Sequence, residues 1–291
     1  MNTLFRWPSS NFWQRLLFSL AFIVVTSTFI AASHLPWCMW LFIAGLGPIQ
    51  YVAVVEYIRL CRLKGFAPAA SLLIWFSLFY LLMHFLATVY PKFEHLPMLP
   101  LLLGALSLPL AFLTHKAGAC ANLALTVFGF IYIALPLSLL VDINFIPHLT
   151  PGGTTSFWIA WLLITTKGSD MAAYFAGKLL GKHPLALSLS PKKTIEGAVG
   201  GLIGGAVLSV GVHHFWAYPS PDNSVMTWIL LGTIVAIAAM IGDLSESLLK
   251  RDAGVKDSNA IPGLGGVLDI IDSVLFSAPL LYVYLKVVGF L

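Results

Sequence analysis

Runs of about 20 mostly apolar residues, repeated from Leu16 almost to the C-terminus, constrain this chain more than any other feature. A run of that length crosses a bilayer as one helix, because a helix satisfies its backbone polar groups internally. Nine such candidates are present, at roughly 16–33, 37–58, 69–89, 96–114, 119–141, 154–177, 195–215, 225–247 and 268–289. Soluble domains carry about 25% charged residues. This chain carries 10%, is 59% hydrophobic and has a mean hydropathy of +0.90, which excludes a solvated globule. A transmembrane β-barrel is excluded too, since its strands would read as short alternating segments. The expected fold class is therefore all-α, a polytopic transmembrane helical bundle of about nine spans. The sixth span is interrupted by Lys167, Ser169 and Asp170, and the fourth, with Pro97, Pro100 and Pro109, is expected to kink. The first follows Arg6 and Arg15 and is longer than the ~7–15 apolar residues of a signal peptide, so it reads as a retained span.

Charge sets the expected orientation. With the N-terminus cytoplasmic, thirteen of the sixteen Lys and Arg fall on the inner side: Arg6, Arg15, Arg59, Arg62, Lys64, Lys116, Lys178, Lys182, Lys192, Lys193, Lys250, Arg251 and Lys256. Lys92 and Lys286 fall outside, and Lys167 lies within a span. The positive-inside rule selects this orientation over its inverse. No basic stripe interleaved with aromatics offers a nucleic-acid surface. The three cysteines, Cys38, Cys61 and Cys120, are far apart and form no C-x-x-C, so they support no zinc site.

Carboxylates hardly influence topology, yet eight of the twelve gather on one side: Asp170, Glu196, Asp243, Glu246, Asp252, Asp257, Asp269 and Asp272. Glu56 stands near the inner end of the second span, and Glu94, Asp142 and Asp222 fall in outer loops. Acidic residues at helix ends beside lysines point to a metal and phosphate site. In Thr165–His183, the residues Asp170, Tyr174 and Gly177 share one helical face and read either as a packing contact or as the wall of a polar cavity. In Ser188–Gly197, Pro191 ends an extended piece and can start a helix, Lys192 and Lys193 lie at the entry of the seventh span, where a positive helix end adds to their charge, and Glu196 is placed to pair with Lys193. The glycines of Gly197–Gly205 allow close helix approach, and His213 and His214 read as interfacial. Asp243, Glu246, Ser247 and Lys250 share a face at the end of the eighth span. Asp269 and Asp272 open the ninth, so the two acidic pairs are expected to meet at one depth. The joining loop carries Gly263, Leu264, Gly265 and Gly266, whose backbone N–H groups can approach an anion. Residues 1–150 read as scaffold and 165–275 as the catalytic region of a single membrane domain.

These blocks resemble the phosphatidate cytidylyltransferases, or CDP-diacylglycerol synthases. The family signature S-x-x-K-R-x-x-x-x-K-D, followed by P-G-H-G-G-x-x-D-R-x-D, is matched by Ser247, Lys250, Arg251, Lys256, Asp257, Pro262, Gly263, Gly265, Gly266, Asp269 and Asp272. Two upstream patterns are similar as well, one at Asp170, Ala173, Tyr174, Gly177, Lys178, Gly181, Lys182 and His183. The other is at Ser190, Pro191, Lys192, Lys193, Thr194, Glu196 and Gly197. Leu264 and Ile270 stand where the family motif has His and Arg. The resemblance implies transfer of CMP from CTP to phosphatidate, giving CDP-diacylglycerol and diphosphate in phospholipid biosynthesis. It implies Mg²⁺, with room for a second cation, on Asp243, Asp269, Asp272 and Asp257. It also implies phosphate contacts from Lys192, Lys193, Lys250, Arg251 and Lys256, with Ser190, Asp170 and Tyr174 beside the substrates. The expected partners are CTP, phosphatidate and membrane lipids, with a homodimer compatible. The expected place is the bacterial inner membrane with a cytoplasmic site. A related lipid or polyprenol kinase and a cation-coupled transporter are the alternatives. A CDP-alcohol phosphotransferase is not, because its D-G-x-x-A-R pattern is absent.

Overall fold

The computed structural model describes residues 39–113, 118–145, 157–216, 224–258 and 266–289. The first expected span and Leu264 lie outside these residues. Among the described residues nine α-helices run in order, α1 (Met39–Leu63), α2 (Ala70–Val89), α3 (Met98–Ala111), α4 (Ala119–Gly129), α5 (Leu135–Asn144), α6 (Phe157–Leu180), α7 (Ile195–Trp216), α8 (Val225–Asp252) and α9 (Val267–Val288). Among the described residues, seven helical stretches are long and apolar enough to cross a membrane, and the chain is an integral membrane protein. The expected sixth span is α6, one unbroken 24-residue helix. Its Lys167 and Asp170 leave it too polar to count among those seven, but they do not break it. The all-α expectation needs one addition, since Pro184–Ala186 (β1) and Ser190–Thr194 (β2) form a small antiparallel hairpin between α6 and α7.

Local chemistry explains the irregular points. The expected fifth span is α4 and α5 joined through a π-helical turn, Phe130–Ala134. Pro136 lacks an N–H and its ring crowds the preceding turn, so the regular ladder widens there. The fourth span begins with a 3₁₀ turn at Pro91–Phe93 and carries Pro109 within α3. Asp142 is not in a loop. It lies on α5, where it meets His84 at 2.9 Å and accepts the Thr88 hydroxyl at 2.6 Å, tying α5 to α2.

Two apolar cores flank α9. One gathers Val54, Tyr57, Phe85 and Ile133 around Leu268, Ile271 and Leu275. The other gathers Trp158, Trp161 and Trp228 around Val274, Ala278 and Leu281, with Trp158 and Trp228 stacked at 5.5 Å. His213 stacks on the same Trp228, at 4.2 Å, so it is packed within the bundle. Ile270 packs against the first core.

The α8–α9 contact is close because Gly242 sits in it. A Cβ on Gly242 would stand 2.2 Å from the backbone carbonyl oxygen of Asp272. Gly242→Ala is therefore expected to destabilise the protein by about 1–3 kcal/mol, since backbone rather than a flexible side chain must yield. Thermal unfolding in detergent checks this, with Gly211→Ala, which meets nothing within 4 Å, as the neutral control.

Candidate active site

The polar residues of the second half assemble where α6, β2, the start of α7 and the end of α8 converge. Thr194 caps α7, its hydroxyl oxygen accepting the Gly197 N–H at 3.1 Å. α7 crosses α6 tightly there, because a Cβ on Gly177 would meet the Thr194 hydroxyl oxygen at 2.9 Å and the Gly197 Cα at 3.5 Å. Further along, Gly200, Gly201 and Gly204 lie against Ala176, Ala173 and Ala172, which is the small-residue packing expected of that segment. The convergence leaves an open cavity of about 380 Å³. Asp170, Tyr174 and Gly177 all line it, as their shared face requires, together with Lys178, Lys192, Lys193, Thr194 and Asp243.

Charge in the cavity wall and just behind it, where Asp272 and Lys167 lie outside the lining, is arranged in opposition. The Lys193 ammonium lies 2.5 Å from the Asp243 carboxylate, fastening the start of α7 to α8. Asp272, from α9, is buried and within electrostatic reach of Lys167, Asp243 and Asp170. Lys167 donates to the Ser273 hydroxyl at 2.7 Å and stands 4.0 Å from Asp170. Three carboxylates from three helices thus share two lysines. Lys178 lies over the Tyr174 ring, 5.9 Å from its centre.

One helical turn away lies a second polar layer. The Lys250 ammonium bridges Glu246 and Asp269, and all three are at least partly buried. The Ser258 hydroxyl, with one hydrogen to give, stands between the carboxylates of Asp269 at 3.2 Å and Glu56 at 3.1 Å. Antiparallel α8 and α9 therefore set Asp243 toward Asp272 and Glu246 toward Asp269, so the two acidic pairs do meet. Glu56 closes this layer from α1. Its carboxylate accepts the N–H groups of Val267 at 3.1 Å and Leu268 at 2.8 Å, capping α9, whose own N-cap residue Gly266 has no side chain to offer.

Several sequence expectations are placed differently. Arg251 is not turned to the cavity. Its Nε–H donates to the Leu189 carbonyl at 3.1 Å and its guanidinium also reaches the Val255 carbonyl at 3.3 Å, holding the hairpin turn to the end of α8. Lys250 is 8% exposed and engaged by two carboxylates. Glu196 does not pair with Lys193. It accepts the N–H groups of Lys182 and His183 at 3.1 and 3.2 Å and meets the His183 ring at 2.6 Å. Ser190 is half-buried in β2, and Lys256 and Asp257 are exposed after α8. Gly263 and Gly265 lie outside the described residues. Lys167, Lys178 and Glu56 had no assigned role. Lys178 could have been found from its spacing of eight from Asp170, and Glu56 as a lone carboxylate in a long apolar run.

The sequence profile of the Cytidylyltransferase family matches residues 13–288. A phosphatidate cytidylyltransferase of Synechocystis is 35% identical over 269 residues, covering 84% of this chain and 88% of that protein. One from Chlamydia trachomatis is 32% identical over 200 residues, covering 67% of this chain and 66% of the relative. The chloroplastic phosphatidate cytidylyltransferase 4 of Arabidopsis thaliana is 32% identical over 272 residues, covering 85% of this chain and 68% of that protein.

Proposed function

The chain belongs to the cytidylyltransferase family, and from that premise we infer that it is a phosphatidate cytidylyltransferase whose chemistry takes place in the α6–α7–α8 cavity. A phosphatidate phosphate oxygen attacks the α-phosphorus of CTP. The new P–O bond gives CDP-diacylglycerol, and the bond to the bridging oxygen breaks, its electron pair leaving with diphosphate. The attacking group is already anionic at neutral pH, so what is required is positioning and charge neutralisation. The observation that carries this reading is the meeting of Lys178, Lys192 and Lys193 with Asp170 and Asp243 in one open cavity. Lys192 is exposed and Lys178 is held over Tyr174, so both are placed to take triphosphate oxygens. Asp243 then shares the Lys193 ammonium with the incoming phosphates.

The acidic residues fit a hard divalent cation of the Mg²⁺ type. Such an ion takes one or two carboxylates and completes its shell with water and substrate phosphate oxygens. Among the described residues no three acidic, His or Cys side chains stand close enough to hold a metal by themselves, so water and substrate oxygens would have to complete its shell. Asp243 and Asp272, with Asp170 beside them, are the residues that would hold it. Asp269, engaged by Lys250 and Ser258, and the exposed Asp257 are the places left for a second cation. When bound, the ion neutralises charge on the triphosphate.

We place the N-terminus and the cavity on the cytoplasmic side of a bacterial inner membrane, with nine spans in all. The thirteen inner cations support this orientation. The Lys64–Asp252 ion pair, at 3.0 Å, supports it too, by setting the ends of α1 and α8 at one face. Phosphatidate would enter from the adjoining leaflet. A homodimer is compatible with this arrangement. The test is to supply purified protein with phosphatidate, Mg²⁺ and CTP labelled at its α-phosphorus. Label in the lipid with one diphosphate per turnover is expected. Release of labelled CDP would instead mark a kinase, and no turnover at all would overturn the reading.

A further inference from the structure

A second cavity lies away from the first and shares no residue with it. It is a groove of about 350 Å³ on the α1–α2 hairpin, lined by Val55, Ile58, Leu63, Ala70 and Ile74 with Arg59 and Arg62. The two arginines are one turn apart at the end of α1 and both are exposed. Several other cations at the helix ends are already engaged. Lys64 is paired with Asp252, Lys193 with Asp243, and Lys250 with Glu246 and Asp269, while Arg251 holds backbone carbonyls. Neither Arg59 nor Arg62 has a carboxylate partner among the described residues. A positive-inside signal needs only charge in the loop. It does not need two guanidinium groups set over an apolar groove.

We propose that this groove binds an anionic phospholipid of the leaflet at whose surface α1 ends. Its phosphodiester would lie between Arg59 and Arg62 and an acyl chain would lie along Ile58, Ala70 and Ile74. A guanidinium matches phosphate oxygens in a two-pronged way that an ammonium does not. Basic pockets between helices at a membrane surface are where acidic headgroups bind. The apolar walls separate a lipid from a free phosphate, because the latter gains nothing from them. Glu56, which caps α9, is three residues before Arg59 on the buried side of the same helix, so a lipid held here steadies the helix that carries that cap.

Phosphatidylglycerol is a suitable probe because it carries a phosphodiester and not the terminal phosphate monoester that attacks CTP. Binding to protein in neutral detergent is measured by native mass spectrometry, with phosphatidylcholine as the uncharged comparison. Wild type is expected to retain phosphatidylglycerol in preference. Arg59→Gln with Arg62→Gln is expected to weaken it roughly thirtyfold, and either change alone about fivefold. Ala70→Phe, which fills the groove and leaves both arginines, is expected to weaken it as well. None of these should change turnover of CTP at saturating phosphatidate in detergent. The proposal is overturned if the double variant binds phosphatidylglycerol as wild type does, if phosphatidylcholine binds equally well, or if inorganic phosphate alone displaces the lipid.

Discussion

Asp243→Asn is expected to lower CTP-dependent formation of CDP-diacylglycerol by roughly a thousandfold, the scale of losing one charged group that acts in the transition state. Asn keeps the volume of the side chain and removes its charge. The ion pair to Lys193 at 2.5 Å is then lost, and with it the balance among Asp170, Asp243 and Asp272. The fold should survive, because Asp243 is about one-third exposed and such pairs contribute only ~0–1 kcal/mol. Label transfer and thermal unfolding of the same preparation check both halves. A variant that folds normally and turns over within tenfold of wild type would move the chemistry away from this carboxylate, toward the Glu246–Lys250–Asp269 layer.

Glu56→Gln is expected to act in the opposite manner, on stability first and on turnover as a consequence. The Glu56 carboxylate is fully buried and accepts the Val267 N–H, the Leu268 N–H and the Ser258 hydroxyl. An amide in its place turns an NH₂ toward one of these donors, leaving a buried N–H unsatisfied at a cost of about 1–3 kcal/mol. The charge that complements the α9 helix dipole is lost as well. Because α9 carries Asp269 and Asp272, a small shift of its first turn also misplaces both, and misplacement of an ångström can cost on the order of a hundredfold in rate. The expected readings are a lower unfolding temperature together with reduced label transfer. A variant that melts with wild type would mean that the cap does not hold α9 in place.

These two residues also show what could be read from the sequence. Asp170, Tyr174 and Gly177 were legible as one helical face, either a packing contact or a cavity wall, because a helix repeats every 3.6 residues, and all three line the cavity. The expected helix start at Pro191 is not found, because Pro191, Lys192 and Lys193 lie in β2 and α7 begins only at Ile195; the two acidic pairs of α8 and α9 were legible as partners across one short connection. Local periodicity does not say which pair faces which cation. Lys250 went to Glu246 and Asp269, while Lys193, from another element, took Asp243. The α9 cap was beyond local reading because Glu56 is separated from Val267 by 211 residues. For Arg251 the family resemblance implies a phosphate contact. Its partner, the Leu189 carbonyl, lies 62 residues away in a hairpin turn that the apolar pattern of a membrane chain does not announce. The π turn before α5 follows from Pro136, but a proline in a long apolar run signals a disturbance and not its form.

The cavity is the centre of the functional reading, and equilibrium binding of CTP tests it most directly. Lys192→Gln combined with Lys193→Gln removes two cations from its wall while leaving the buried Lys250 pair and the α9 cap untouched. Wild type should bind one CTP per chain in the presence of Mg²⁺, and the double variant should bind it roughly a hundredfold more weakly while unfolding at the same temperature. Equal affinity in the two proteins, with the fold intact, would contradict the placement of the triphosphate in this cavity.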